Sequence, residues 1–93
     1  MARRRGLGSG PIEHNARAKR AMASVVKMST QAIKYARAGR CTDALDALVA
    51  GARAHGQLLA EREAGAGVGF ETGEVGILHV KRELRACFRS GGR

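Results

Sequence analysis

Three histidines and two cysteines are the residues whose side chains could supply a base or a nucleophile. His14, His55 and His79 fall in three separate predicted elements, and neither Cys41 nor Cys87 has a histidine beside it in the sequence. Nucleophilic catalysis requires the nucleophile within hydrogen-bond reach of a base. Only a fold that brought a cysteine to a histidine would create such a site, so we predict that the protein is not an enzyme.

The two cysteines are too few for a disulfide scaffold, and a reducing compartment is the simpler interpretation. Cys87 falls on the apolar side of a predicted helix, which indicates core packing. Cys41 falls at a predicted helix junction, where an exposed thiol could instead crosslink two copies.

Metal and cofactor motifs are missing from the sequence. It contains no Cys-x-x-Cys, no His-x-x-x-His and no Asp-rich calcium loop, so we expect no metal and no cofactor. The glycines of residues 65–69 could let backbone amides approach a phosphate, but no Lys-Ser or Lys-Thr follows them and four glutamates lie nearby. This pattern favours a flexible linker over a phosphate-binding loop, and we expect no small-molecule substrate.

The cationic side chains are concentrated in one part of the sequence, and their spacing is the main indication of a function. Residues 1–40 contain ten Lys or Arg and one Glu. Helical steps of three and four residues place a polar ridge on the first predicted helix, formed by Arg17, Arg20, Ser24, Lys27, Gln31 and Lys34. Crowded like charges repel one another, so a polyanion beside them is favoured. The candidate nucleic-acid-binding residues are Arg3, Arg4, Arg5, Arg17, Arg20, Lys27, Lys34, Arg82, Arg85 and Arg89.

The alternative is that these cations are solvated or paired within the chain. Residues 41–74 carry six acids against two arginines and could absorb part of the excess, although the net charge of +9 remains. Only Tyr35, Phe70 and Phe88 are aromatic, which is too few for a base-stacking platform. Any contact with nucleic acid should therefore be made through phosphates.

Three helices must position these cations, at about 12–38, 43–63 and 73–89. Pro11 suits a first helical turn, Gly39 a helix end, and Thr42 the N-cap of the second helix. The pattern predicts an all-α fold, in which an antiparallel hairpin is followed by a third helix within a single domain at 11–93. Residues 1–10 are expected to form a flexible basic arm, and 64–73 a Gly-rich connection. A strand at 75–80 is the competing interpretation, because that stretch is β-branched.

Apolar residues at helical spacing predict the buried faces. We expect the first face to contain Met22, Val25, Val26, Ala32, Ile33 and Ala36, the second Leu45, Leu48, Val49, Ala52, Gly56 and Leu59, and the third Ile77, Val80, Leu84, Cys87 and Phe88. Phe70 is expected to dock on the hairpin.

Composition limits the function classes further. No stretch has the roughly 18 consecutive apolar residues of a membrane span, so no membrane partner is expected. A chain this short and alanine-rich buries a thin core, which favours association with other protein subunits or a homo-oligomer. We predict a non-enzymatic basic protein that binds nucleic acid, DNA or RNA, by its phosphate backbone. Its expected place is a virion or other nucleoprotein assembly, with a cytoplasmic or virion-internal location. The alternative is a small assembly adaptor or inhibitor that docks on an acidic protein surface.

Overall fold

The computed structural model describes residues 11–66 and 71–93, which form three α-helices: α1 (Pro11–Arg37), α2 (Cys41–Glu63) and α3 (Glu71–Arg89). A turn at residues 38–40 joins α1 and α2 into an antiparallel hairpin, and α3 packs on both. The all-α prediction is confirmed, and residues 75–80 are helical rather than a strand. The predicted arm at 1–10, with Arg3, Arg4 and Arg5, lies outside the described residues, as do Phe70 and the rest of 67–70.

All three helices end in the same way. The second residue after each helix is a glycine with positive φ, at 78° for Gly39, 119° for Gly65 and 85° for Gly91. At each end, the N–H of this glycine and the N–H of the next residue donate to two of the last helical carbonyls. In α1, Gly39 donates to Ala36 and Arg40 to Tyr35. The same pairs are Gly65 to Arg62 and Ala66 to Glu61 in α2, and Gly91 to Phe88 and Gly92 to Cys87 in α3. This Schellman geometry satisfies carbonyls that the helix leaves without partners, and glycine adopts it without a Cβ clash.

The beginning of α2 is capped by the C-terminal residues and not by its own side chain. Thr42 was predicted as the N-cap, but the helix starts at Cys41 with Arg40 at the cap position and no side-chain cap bond. Both the N–H and the hydroxyl of Thr42 donate to the main-chain oxygen of Arg93, at 2.8 and 2.6 Å. The N–H of Arg93 donates to the carbonyl of Gly39 at 2.9 Å. Residues 90–93 are thereby tied to the hairpin turn.

The core between α1 and α2 is built from small residues. Ala18, Ala21, Val25, Ser29, Ala32 and Ala36 are buried on α1, and Cys41, Ala44, Ala47, Gly51, Ala54 and Leu58 on α2. A Cβ placed on Gly51 would lie 3.3 Å from Cβ of Met28, so the helices approach closely. Only small side chains fit at such a distance, and α3 supplies bulk with Ile77, Val80 and Leu84.

This packing corrects the predicted faces. In α2 the prediction was wrong by about one residue of rotation, because Leu45, Val49 and Leu59 are exposed and Leu48 is half-buried. Ala52 and Gly56 are exposed as well. In α1, Val25, Ala32 and Ala36 are buried as predicted, whereas Val26 is exposed and Met22 and Ile33 are half-buried. In α3 only Phe88 departs from the predicted buried face, since it is half exposed.

A disulfide joins the start of α2 to the end of α3. Cys41 and Cys87, both buried, form this bond with their Cα atoms 5.8 Å apart. The interpretation of the cysteines as unpaired thiols was therefore wrong, because 46 residues of chain separate two positions that the bundle makes neighbours. Gly92 covers the bond, and a Cβ at this position would lie 2.7 Å from Sγ of Cys41.

Candidate nucleic-acid interface

Three cations of α1 form a row on its outward side. Arg20, Lys27 and Lys34 are exposed and follow one another at seven-residue intervals, which keeps them on one side of a helix. The buried Val25 and Ala32 lie on the other side. The row is about 21 Å long at 1.5 Å per residue. None of its three side chains forms an ion pair with a described residue. We call these residues the α1 cation row.

Arg17, which was predicted as part of the same ridge, is placed differently. Its Nε donates to Oε1 of Glu61 at 3.1 Å, and its Nη1 donates to Oε2 of Glu13 at 3.2 Å. These hydrogen bonds, that to Glu61 above all, raise the pKa of the guanidinium. Two carboxylates already satisfy much of this cation, so Arg17 offers less to an external phosphate than the row beside it.

His14 completes the cluster around Glu61. Its Nδ1 lies 2.6 Å from Oε1 of Glu61 and 3.0 Å from Nη2 of Arg17. The carboxylate of Glu61 can only accept, so the tautomer of His14 with its hydrogen on Nδ1 donates to Glu61 and has no lone pair on Nδ1 to accept from Arg17. The hydrogen bond from His14 is the main cause that lowers the pKa of Glu61, and the bond from Arg17 adds to it. The cluster joins α1 to α2 across the hairpin.

The other carboxylates with ion pairs also engage arginines outside the row. Arg37 donates from Nε to Oε1 of Glu83 at 3.2 Å, which lowers the pKa of that carboxyl. Arg40 donates to Oδ2 of Asp43 at 2.7 Å, and its guanidinium lies 4.8 Å from the ring centre of Tyr35. The carboxylates that form ion pairs in the described chain therefore neutralise cations at the helix ends and between helices, and not the α1 cation row.

The three predicted cations of α3 form a second exposed group. Arg82, Arg85 and Arg89 are exposed and lie away from the buried Val80 and Leu84. They form no ion pair with a described residue. This group belongs to α3 and is therefore separate in the chain from the α1 cation row.

A polar groove of about 360 Å³ borders the α1 cation row, between α1 and α2. Its lining consists of Arg17, Arg20, Ala21, Ser24, Gln57 and Glu61. Arg20, Ser24 and Gln57 offer hydrogen-bond donors to an anion at its edge, whereas the carboxylate of Glu61 opposes an anion at the end nearest His14. Sequence analysis identified Ser24 on the ridge, but not Gln57 or Glu61, because only the pairing of α1 with α2 brings them there.

The three histidines remain apart and half-buried. His14 contacts Glu61, while Nε2 of His79 lies 3.9 Å from Oε2 of Glu83. Nε2 of His55 is buried and has no hydrogen-bond partner among the described residues. Within 11–66 and 71–93, no three His, Cys, Asp or Glu side chains are grouped as metal ligands would be. None of the helices in this part of the chain is both long and apolar enough to cross a membrane.

No family model, curated protein or solved structure matches the chain.

Proposed function

We propose that the protein binds nucleic acid through the phosphate backbone, as a small component of a virion or other nucleoprotein particle. The observation that supports this most is the α1 cation row: three exposed cations on one helix side, without carboxylate partners in the described chain. Glu61, Glu83 and Asp43 engage Arg17, Arg37 and Arg40 instead. The row is left to neutralise an external polyanion, for which phosphates are the densest source.

The second exposed group and the sequence-predicted arm extend the same function. Arg82, Arg85 and Arg89 of α3 would add phosphate contacts, and Arg3, Arg4 and Arg5 could follow a backbone or enter a minor groove. With few aromatic side chains, binding depends on charge and shows little sequence preference. A disulfide-bonded chain is typical of an oxidising environment, which disfavours the reducing cytosol as its location.

Salt dependence of binding tests this proposal. Affinity for labelled duplex DNA and RNA is measured by fluorescence anisotropy at several salt concentrations. Replacement of the α1 cation row, Arg20→Gln, Lys27→Gln and Lys34→Gln together, should make the log-log slope for duplex DNA shallower by about 2.7, at about 0.9 per lost phosphate contact.

A matched triple variant is the control. Arg17→Gln, Arg37→Gln and Arg40→Gln together remove the same number of charges, but from arginines that carboxylates of the chain already engage. This variant should keep most of the slope if its circular dichroism spectrum remains native. Equal loss of slope in both variants would show an effect of net charge alone. Binding to poly-glutamate as tight as to DNA would favour the alternative, docking on an acidic protein surface.

A further inference from the structure

Four large apolar side chains are exposed on one part of the bundle. Leu45, Val49 and Leu59 of α2 are 42, 44 and 39% exposed, and Leu78 of α3 is 53% exposed. With the exposed Ala52 and Gly56, the α2 residues follow one another in alternating steps of four and three, the spacing of a helix-pairing face. We call Leu45, Val49, Ala52, Gly56 and Leu59 the α2 seam.

The contacts of α2 and α3 with α1 place the α2 seam and Leu78 on a common surface. On α2, Gln57 and Glu61 turn toward α1, where they line the polar groove. On α3, His79 and Glu83 turn toward α1, where His79 lines a groove with Val26 and Glu83 binds Arg37. The α2 seam and Leu78 therefore lie on the opposite flanks, which adjoin on the side of the bundle away from α1.

We propose that this surface is the interface of a homodimer, in which α2 of one chain packs antiparallel on α2 of a second copy. A twofold axis that runs between the two α2 helices, level with the midpoint of Val49 and Ala52, makes the contact the same for both chains. It sets Leu45 over Gly56 of the second copy, and Val49 beside Ala52 of the second copy. Leu45 and Val49 then each meet a small residue, so the central parts of the two seams fit each other in size.

Charges beside the α2 seam match the same axis. Asp46 and Arg53 are exposed on one edge of the seam, and neither forms an ion pair with a described residue. Antiparallel pairing brings Asp46 close to Arg53 of the second copy and, by symmetry, Arg53 close to Asp46. Two opposite-charge contacts flank the apolar centre, which favours a second copy of this chain over an unrelated partner.

The surface of α3 repeats this complementarity. A Cβ on Gly51 would lie 3.4 Å from Cδ1 of Ile77, so the level of the axis on α2 corresponds to the neighbourhood of Leu78 on α3. Leu78 then faces its own counterpart. Glu74 and Lys81 are exposed on the same flank, and neither forms an ion pair in the described chain. The twofold axis brings Glu74 opposite Lys81 of the second copy, and Lys81 opposite Glu74 of the second copy. Apolar contact at the centre and opposite charges on both helices describe one self-complementary interface.

Charge reversal tests the dimer. The nuclease-treated full chain, examined by sedimentation equilibrium, should have twice the 9.8 kDa of one chain and dissociate on dilution. Asp46→Arg and Arg53→Asp should each weaken dimerisation about tenfold or more, because each places like charges together twice. The double variant D46R/R53D should recover the wild-type affinity, since it exchanges the two charges. Lys27→Glu, on the outward side of α1, is the matched control and should not change it.

A second variant tests the apolar centre. Leu78→Glu should also give a monomer, and because Leu78 is more than half exposed the fold should survive, as circular dichroism would show. A chain that stays monomeric at every concentration would overturn the dimer, even if the surface captured a different protein. A dimer that tolerates both single reversals, or that D46R/R53D fails to restore, would overturn this interface. Because nuclease treatment removes nucleic acid, failure here leaves the proposed phosphate binding untouched.

Discussion

Reduction of the Cys41–Cys87 disulfide should lower the free energy of unfolding by about 4 kcal/mol. The bond closes a loop between residues 46 positions apart, and the chain-entropy relation for a loop of this length gives about 4 kcal/mol at 25 °C. A domain of 93 residues has a total stability of roughly 5 to 14 kcal/mol, so the bond supplies a large share of it. The melting midpoint should fall by roughly 20 °C.

The measurement compares urea denaturation of the same chain with and without a phosphine reductant, followed by far-ultraviolet circular dichroism. The variant Cys41→Ala/Cys87→Ala is the control, because its stability should not respond to the reductant. Equal denaturation midpoints for the oxidised and reduced wild type would refute the reasoning. So would the titration of two free thiols per chain in protein that has never met a reductant.

Three further substitutions should change stability in defined directions. Ser29→Ala should raise the free energy of unfolding by about 1 kcal/mol, because the buried Ser29 hydroxyl has no hydrogen-bond partner among the described residues; a lower urea midpoint would contradict this. Gly39→Ala should lower it by about 1 kcal/mol, since φ is 78° there, and an unchanged thermal midpoint would count against the helix-end geometry. Glu61→Gln should reduce the loss of unfolding free energy that acid pH causes. The lowered pKa of Glu61 stabilises the fold above the ordinary value of 4.5, and this contribution is lost as pH falls through the folded pKa. Urea titrations between pH 2 and 6 should show a smaller acid loss in the variant; equal losses would exclude this role.

The candidate site could be predicted only as a set of residues. The ridge on the first helix followed from helical spacing, and Arg20, Lys27 and Lys34 are exposed there. Which cations of the ridge remain without a carboxylate partner could not be predicted, because that depends on which carboxylates the fold brings to the ridge. Glu61 is 44 residues from Arg17 in the chain, and nothing local indicates that the two side chains meet.

The face that α2 buries shows why hydrophobicity alone was a poor guide. Leu45, Val49 and Leu59 are large apolar residues at helical spacing, so the sequence pattern favoured burying them. In the bundle, the close approach of α1 at Gly51 admits only small side chains. Side-chain size therefore decided much of the buried face: small residues occupy most of it, Leu58 is its one large member, and Leu45, Val49 and Leu59 are exposed.

The sequence by itself determined the helices, their ends and the uneven distribution of charge, because each depends on neighbours within a few positions. The glycines at 39, 65 and 91 end their helices through backbone geometry that no distant contact need supply. Tertiary structure alone decided the buried face of α2, the pairing of the two cysteines and the arginine that Glu61 engages. These depend on distances between helices, which a one-dimensional pattern does not contain, since side chains far apart in sequence must first be brought together.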